Sequence, residues 1–182
     1  MMLTTFSKTK EMHRVAGVYF PNTPQKSITT DEIKLGLGLI AEEFVELLRD
    51  GFGLEGSTVS QLEGILKTSI AQVSDKSSYD LVEVADALGD LDVVINRLGG
   101  VLGLDMNAVS DEIYASNMSK FTESLGEAVI AEKDYKAKGR NVTIHEVPNG
   151  DKAIYVVKDS ATGKVLKASS FKEPNLKRVL GV

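Results

Sequence analysis

Between Leu81 and Leu102 the chain places Leu81, Val84, Leu88, Leu91, Ile95, Leu98 and Leu102 at alternating steps of three and four residues. That spacing draws one apolar seam along a helix, of the kind that packs helix against helix in a bundle. Val82, Val93 and Val94 flank the seam, so this helix is apolar nearly all the way round, a pattern expected of a buried helix. Asp80 opens it, and Gly99, Gly100 and Gly103 loosen its end.

The other segments follow from their own punctuation. Residues 7–18 read as a short helix, ended by an extended linker at 19–24 where Pro21 and Pro24 disfavour helix. Thr30, with Asp31 and Glu32 behind it, starts a second helix through Leu35, Leu39, Ile40, Phe44 and Leu47 to Asp50, which Gly51 and Gly53 stop. Over 54–79, Val59, Leu62, Ile65, Leu66 and Ile70 predict a short helix flanked by loops. Asp105-Met106-Asn107 caps a helix reaching about Lys120, which either stops there or runs on into 123–138. After Gly139 the pattern turns β-like over 141–147 and 153–157, with Pro148-Asn149-Gly150 as the turn and Ala161-Thr162-Gly163 as a second one. The expected architecture is mainly α: a helical bundle domain over 1–138, with an N-terminal arm at 1–29, and a β-rich extension over 139–182 forming a small hairpin or meander.

Charge is also unevenly divided along the chain. The chain of 182 residues has net charge −5 and no cysteine. Residues 1–120 hold 10 Lys and Arg against 18 Asp and Glu, a net −8, whereas 121–182 hold 11 against 8, a net +3. An acidic helical part is poorly suited to neutralising nucleic-acid phosphates, so no nucleic-acid partner is expected. The lack of cysteine excludes disulfide scaffolds, thiolate zinc sites and cysteine nucleophiles, and His13 and His145 are too few and too distant for a histidine cluster. No apolar run reaches the length of a membrane span and no signal-peptide pattern opens the chain, so the expectation is a cytoplasmic protein with no membrane partner.

Two acidic sets concentrate the negative charge. Glu42, Glu43 and Glu46 form the first; Glu83, Asp86 and Asp90 form the second. At about 100° per residue, Glu43 and Glu46 stand about 60° apart, Glu42 and Glu46 about 40° apart, and Asp90 falls in angle between Glu83 and Asp86. Like charges at such spacing repel, by roughly a few tenths of a kcal/mol per pair in an isolated helix. A solvated face is one reading of these sets. The other is a hard divalent cation, because carboxylates on a buried helix need a partner and residues 61–100 contain only Lys67, Lys76 and Arg97 as basic side chains. A di-iron bundle would carry Glu-x-x-His on its helices, and none occurs.

The stretches Glu42-Glu43-Phe44-Val45-Glu46-Leu47, Glu83-Val84-Ala85-Asp86-Ala87-Leu88 and Ser116-Asn117-Met118-Ser119-Lys120-Phe121 occur in that order. Together they resemble the E-x-x-E, E-x-x-D and N-x-x-K motifs of the MazG-like, all-α NTP pyrophosphohydrolase superfamily. The closing stretch from Gly163 to Pro174 is similar to the tail of its phosphoribosyl-ATP-pyrophosphohydrolase-like branch. The likeness spans about 30–182, with weaker agreement from Met12 to Pro24. The chain departs from the compact members in the 36 residues separating the two acidic motifs.

That resemblance implies an all-α NTP pyrophosphatase-type bundle using Mg²⁺, with Mn²⁺ as a substitute, to cleave a (d)NTP into (d)NMP and pyrophosphate. It implies metal ligation by Glu43, Glu46, Glu83 and Asp86, with Asp90 as a supporting group or further ligand. Glu42 is the candidate for orienting or deprotonating the attacking water, against a plain solvated glutamate. Asn117 and Lys120 would contact phosphate, and Lys164 and Lys167 would bring charge from the hairpin, against ordinary surface lysines. His13 is expected to be structural or exposed, and Tyr19 and Phe20 to pack. The superfamily also implies a homodimer or homotetramer. Two alternatives stay open: phosphoribosyl-ATP pyrophosphohydrolase of histidine synthesis, and a non-catalytic helical-bundle binding module.

Overall fold

The computed structural model describes residues 4–74 and 79–182, so Lys76 lies outside the described residues. The protein is mainly helical with an antiparallel two-stranded hairpin near its C-terminus. The helices are α1 (Thr5–Val15), α2 (Thr30–Glu46), α3 (Ser57–Ala71), α4 (Leu81–Val101), α5 (Met106–Met118), α6 (Leu125–Ala137) and α7 (Leu176–Leu180). The strands are β1 (Val142–Asn149) and β2 (Lys152–Asp159). Among the described residues no helix is long and apolar enough to cross a membrane.

Backbone contacts divide the chain into two compact units, Thr23–Asp90 in one and Met1–Asn22 with Leu91–Val182 in the other. The discontinuous unit is organised by the hairpin. β2 is buried on both faces: Ile154 and Val156 pack with Val15 of α1 and with Phe121, while Val157 packs with Ala128 and Ala131 of α6, Val142 and Leu166. The hairpin thus shares its core with α1 and α6, and the contacts do not divide the chain at 138/139. Asn149 pairs with Lys152, which leaves Gly150 and Asp151 as a two-residue loop. Gly150 takes φ 61°, the positive angle that a turn with glycine in its first loop position requires. The turn therefore sits one residue later than Pro148-Asn149-Gly150, because Asn149 is held in the ladder.

Helix ends follow local chemistry. Thr29 and Glu32 form a reciprocal capping box at the start of α2, with Thr29 Oγ1 accepting from the Glu32 N–H at 3.2 Å. Asp105 caps α5 by accepting from the N–H groups of Asn107 and Ala108. The helix over 105–120 does not run on: α5 ends at Met118, and Ser124 caps a separate α6. Lys158 reaches back from β2 to the Ala16 carbonyl, placing a cation on the C-terminal end of α1.

In the unit spanning Thr23–Asp90, α2 packs on α3, with Val45 and Val59 buried. The region read as a short helix between loops is a 15-residue helix. Its contacts come from Leu62, Leu66 and Ile70, which are half-buried, while Ile65 is 63% exposed and points away from the packed stripe.

The expectation that α4 is buried is corrected. Val82 is 75% exposed, Leu88 51% and Val94 54%, and Gly99 is the buried residue of the helix. The seam is present, but within one chain little is laid against it.

Val157 is fully buried between α6 and the hairpin. Val157→Ala is expected to destabilise the fold by about 1–3 kcal/mol through the cavity it leaves, read as a lowered urea midpoint with an unchanged slope. An unaltered midpoint would show that this core is not as packed as described.

Candidate functional site

The two acidic motifs sit on helices with different surroundings. In α2, Glu42, Glu43 and Glu46 are exposed on the last two turns, and Val45 between them is buried against α3. Alternation of that kind fixes the motif: one apolar residue anchors the helix and its neighbours are turned to solvent. In α4, Glu83, Asp86 and Asp90 are exposed, with Asp80 accepting from the Val82 and Glu83 N–H groups to start the helix. None of the six motif carboxylates has an ion-pair or hydrogen-bond partner among the described residues.

As a donor set these groups suit a hard cation, being all carboxylate oxygen and free of competing lysine or arginine. Their placement in a single chain does not complete a site. α2 packs on α3 and forms no packed interface with α4, and no three Asp, Glu, His or Cys side chains among the described residues gather closely enough to hold an ion. The argument from burial to metal therefore fails for one chain: these carboxylates are in water, where their charge costs little.

The third motif and the tail are brought together. Ser116, buried near the end of α5, donates to the Lys172 carbonyl at 2.8 Å, and the Lys172 N–H donates to Ser119 Oγ at 2.8 Å. The Ala168 N–H donates to the Lys120 carbonyl at 3.3 Å, and Phe121 is fixed in the core. With Ser116, Ser119 and Phe121 committed, Asn117 and Lys120 face each other, the Lys120 Nζ donating to Asn117 Oδ1 at 2.6 Å. The two lysines expected on the hairpin lie beyond it, in the segment after β2 that makes only an isolated bridge from Val165 to Lys158. Lys164 is exposed, whereas Lys167 is bound to Glu173 at 2.7 Å and lies 4.2 Å over the Phe171 ring. His13 Nδ1 donates to the Thr9 carbonyl of its own helix at 2.8 Å and its ring lies near Phe20, a structural role.

Sequence reasoning missed the wall beside Glu42 and Glu46. After Glu46 the helix widens into one π turn, Leu47–Gly51, and within it Arg49 reaches across to Glu63 of α3 at 2.8 Å. Lys67 binds the same carboxylate at 2.6 Å. The two cations, Lys67 first and then Arg49, hold the Glu63 carboxyl below its ordinary value. The sequence signal was available: Val59, Leu62, Leu66 and Ile70 repeat at three and four, and Arg49 follows Glu46 by three.

A scan against protein-family models matches no family, and no solved structure matches the chain. The chain is 28% identical over 125 residues, 63% of its length, to an uncharacterized protein of Acanthamoeba polyphaga mimivirus. It spans about half the length of that protein, 50% of which is covered.

α7 is moored to the helix that carries Asn117. Glu112 of α5 accepts from the Asn175 N–H at 2.7 Å and from Arg178 at 2.6 Å, and these contacts, the backbone one first, hold its carboxyl below the ordinary value. A lowered carboxylate stabilises the docked state fully above the ordinary glutamate range and loses that contribution as pH falls through the lowered value. Amide protection in α7, taken relative to the intrinsic exchange rate at each pH, is therefore expected to fall below about pH 4 in the wild type. In Glu112→Gln it should be lower already at pH 7 and flatter with pH. Identical profiles for the two proteins would refute the mooring.

Proposed function

We propose that the protein is a Mg²⁺-dependent nucleoside triphosphate pyrophosphohydrolase, converting a (d)NTP to (d)NMP and pyrophosphate in nucleotide-pool control or a phage-like nucleotide pathway. One observation carries the reading: two ordered carboxylate motifs stand unpaired in solvent on two helices whose apolar faces are also uncovered. An uncovered acidic stripe suits a cation, and an uncovered apolar seam suits another helix. The motif order and the N-x-x-K pair joined to its tail add the resemblance to the MazG-like superfamily.

Completion of the site then requires association. A homodimer or homotetramer would lay further helices along the α4 seam and bring Glu43, Glu46, Glu83 and Asp86 into one cluster. When bound, Mg²⁺ would supply charge neutralisation at the triphosphate oxygens. Glu42 is the proposed group for the water: it would take a proton as the water oxygen bonds to the α-phosphorus, while the bond from that phosphorus to the bridging oxygen breaks and pyrophosphate leaves. Asn117 and Lys120 would bind phosphate oxygens, Lys164 is free to add charge, and Asp90 would support the ligand cluster.

Pyrophosphate release is to be measured over a panel of NTPs and dNTPs that includes phosphoribosyl-ATP. Turnover is expected with Mg²⁺ and not with EDTA, and Glu46→Gln or Glu83→Gln should lower kcat by roughly a hundredfold or more. Failure of every nucleotide, with Glu46→Gln altering neither metal binding nor thermal stability, would end the enzyme reading. Sedimentation should give at least a dimer at micromolar concentration; a monomer would count against a site completed between copies.

A further inference from the structure

The longest departure from the compact members of the resembling superfamily is the segment that folds as α3, and the structure shows what it builds. α2 and α3 leave a groove of about 470 Å³ between them, within the size range of sites for small molecules. Glu42 and Glu46 of the first acidic motif lie in its lining. Anything held there therefore rests against the carboxylates assigned above to the metal and the water.

The groove has two chemically distinct ends. Toward the start of α2 its walls are Leu35, Leu39, Leu66 and Ile70, an apolar slot without aromatic rings, with Lys34 at that end. Toward the π turn it closes on Arg49, Glu63 and Lys67, two cations around one carboxylate; with Lys34, Glu42 and Glu46 the lining charges balance, so the positive excess for an anion comes from the Mg²⁺ assigned above to Glu46. A nucleotide has the same division, an organic base and sugar at one end and an anionic chain at the other. The π turn, a rare form concentrated at functional sites, carries Arg49 to this end. Gly38 lines the groove in mid-helix, and a Cβ built on it meets nothing within 4 Å. Glycine there weakens the helix and keeps the slot open.

We propose that the α2–α3 groove is the nucleoside subsite of the enzyme. The base and sugar lie between Leu39, Leu66 and Ile70, and Arg49, exchanging part of its contact with Glu63, takes an oxygen of the phosphate chain as it passes Glu46. The proposal rests on the pyrophosphohydrolase reading above and extends it by making α3 the specificity wall.

Calorimetry on the full chain in Mg²⁺ tests it, with the four common dNTPs and inorganic triphosphate as probes. The last lacks base and sugar. Gly38→Leu fills the slot from an open position and adds a better helix former, so the fold is retained, with thermal melting as the control. It should weaken the best-bound dNTP by about tenfold or more and leave inorganic triphosphate within about twofold. Arg49→Gln should weaken both. An unchanged dNTP affinity and KM in Gly38→Leu, in a protein that still hydrolyses nucleotides, overturns the subsite and leaves the enzyme reading standing. A drop in sedimenting mass in Gly38→Leu also overturns it, because a second copy would then fill the groove. If the wild type binds no nucleotide, both readings fall.

Discussion

Apolar surface left in water costs on the order of 25 cal/mol per Å², and α4 is where this chain leaves the most conspicuous amount. Leucines and valines repeat along the helix and remain exposed, with glycine rather than a large side chain at its one buried position. A helix of this composition is unfavourable as a lone surface element. Glu83, Asp86 and Asp90 stand beside its exposed seam. The acidic motif of α2 likewise lies beside uncovered side chains, Phe44 and Leu47.

Elements were legible in the sequence wherever local chemistry settled them. The start of α2, the Asp105 cap of α5, the seam of α4 and the two β segments are each determined by residues within a few positions of one another. The hairpin turn moved by one residue because Asn149 is as good a ladder partner as a turn residue, and cross-strand pairing with Lys152 decides between them. α3 is longer than its spacing predicts because Ser, Gly and Asp interrupt the apolar pattern over 54–79, and packing on α2 sets its length. The small α7 depends on a carboxylate 63 residues away, Glu112, which no local pattern reveals.

The candidate site was legible as residue types and only partly as an arrangement. Helical spacing puts Glu42, Glu43 and Glu46 near one another on α2 and Asn117 beside Lys120, but it does not single out Val45 as the buried residue, because Phe44 and Leu47 carry the more obvious apolar pattern and are exposed. It could not show that Ser116 and Ser119 clasp the tail at Lys172, since that link joins segments more than fifty residues apart. Nor could it bring the two acidic motifs together, because α2 chooses α3 as its partner. The inference from burial to charge compensation failed at that step: periodicity tells which face is apolar, not whether the same chain supplies the cover.

The double burial of β2 has a temporal consequence. Val15 of α1 finds its core partners in Ile154 and Val156, and Ala16 receives its bond from Lys158 across 142 residues of chain. α1 packs on α5 as well as on the hairpin, so all its partners lie beyond the segment from Thr23 to Asp90, which can close on itself in between. Closing a loop of that length slows folding and prolongs the exposure of apolar surface. α1 is thus placed only when partners up to 142 residues away in the chain reach it, and the hairpin is the latch that closes that loop.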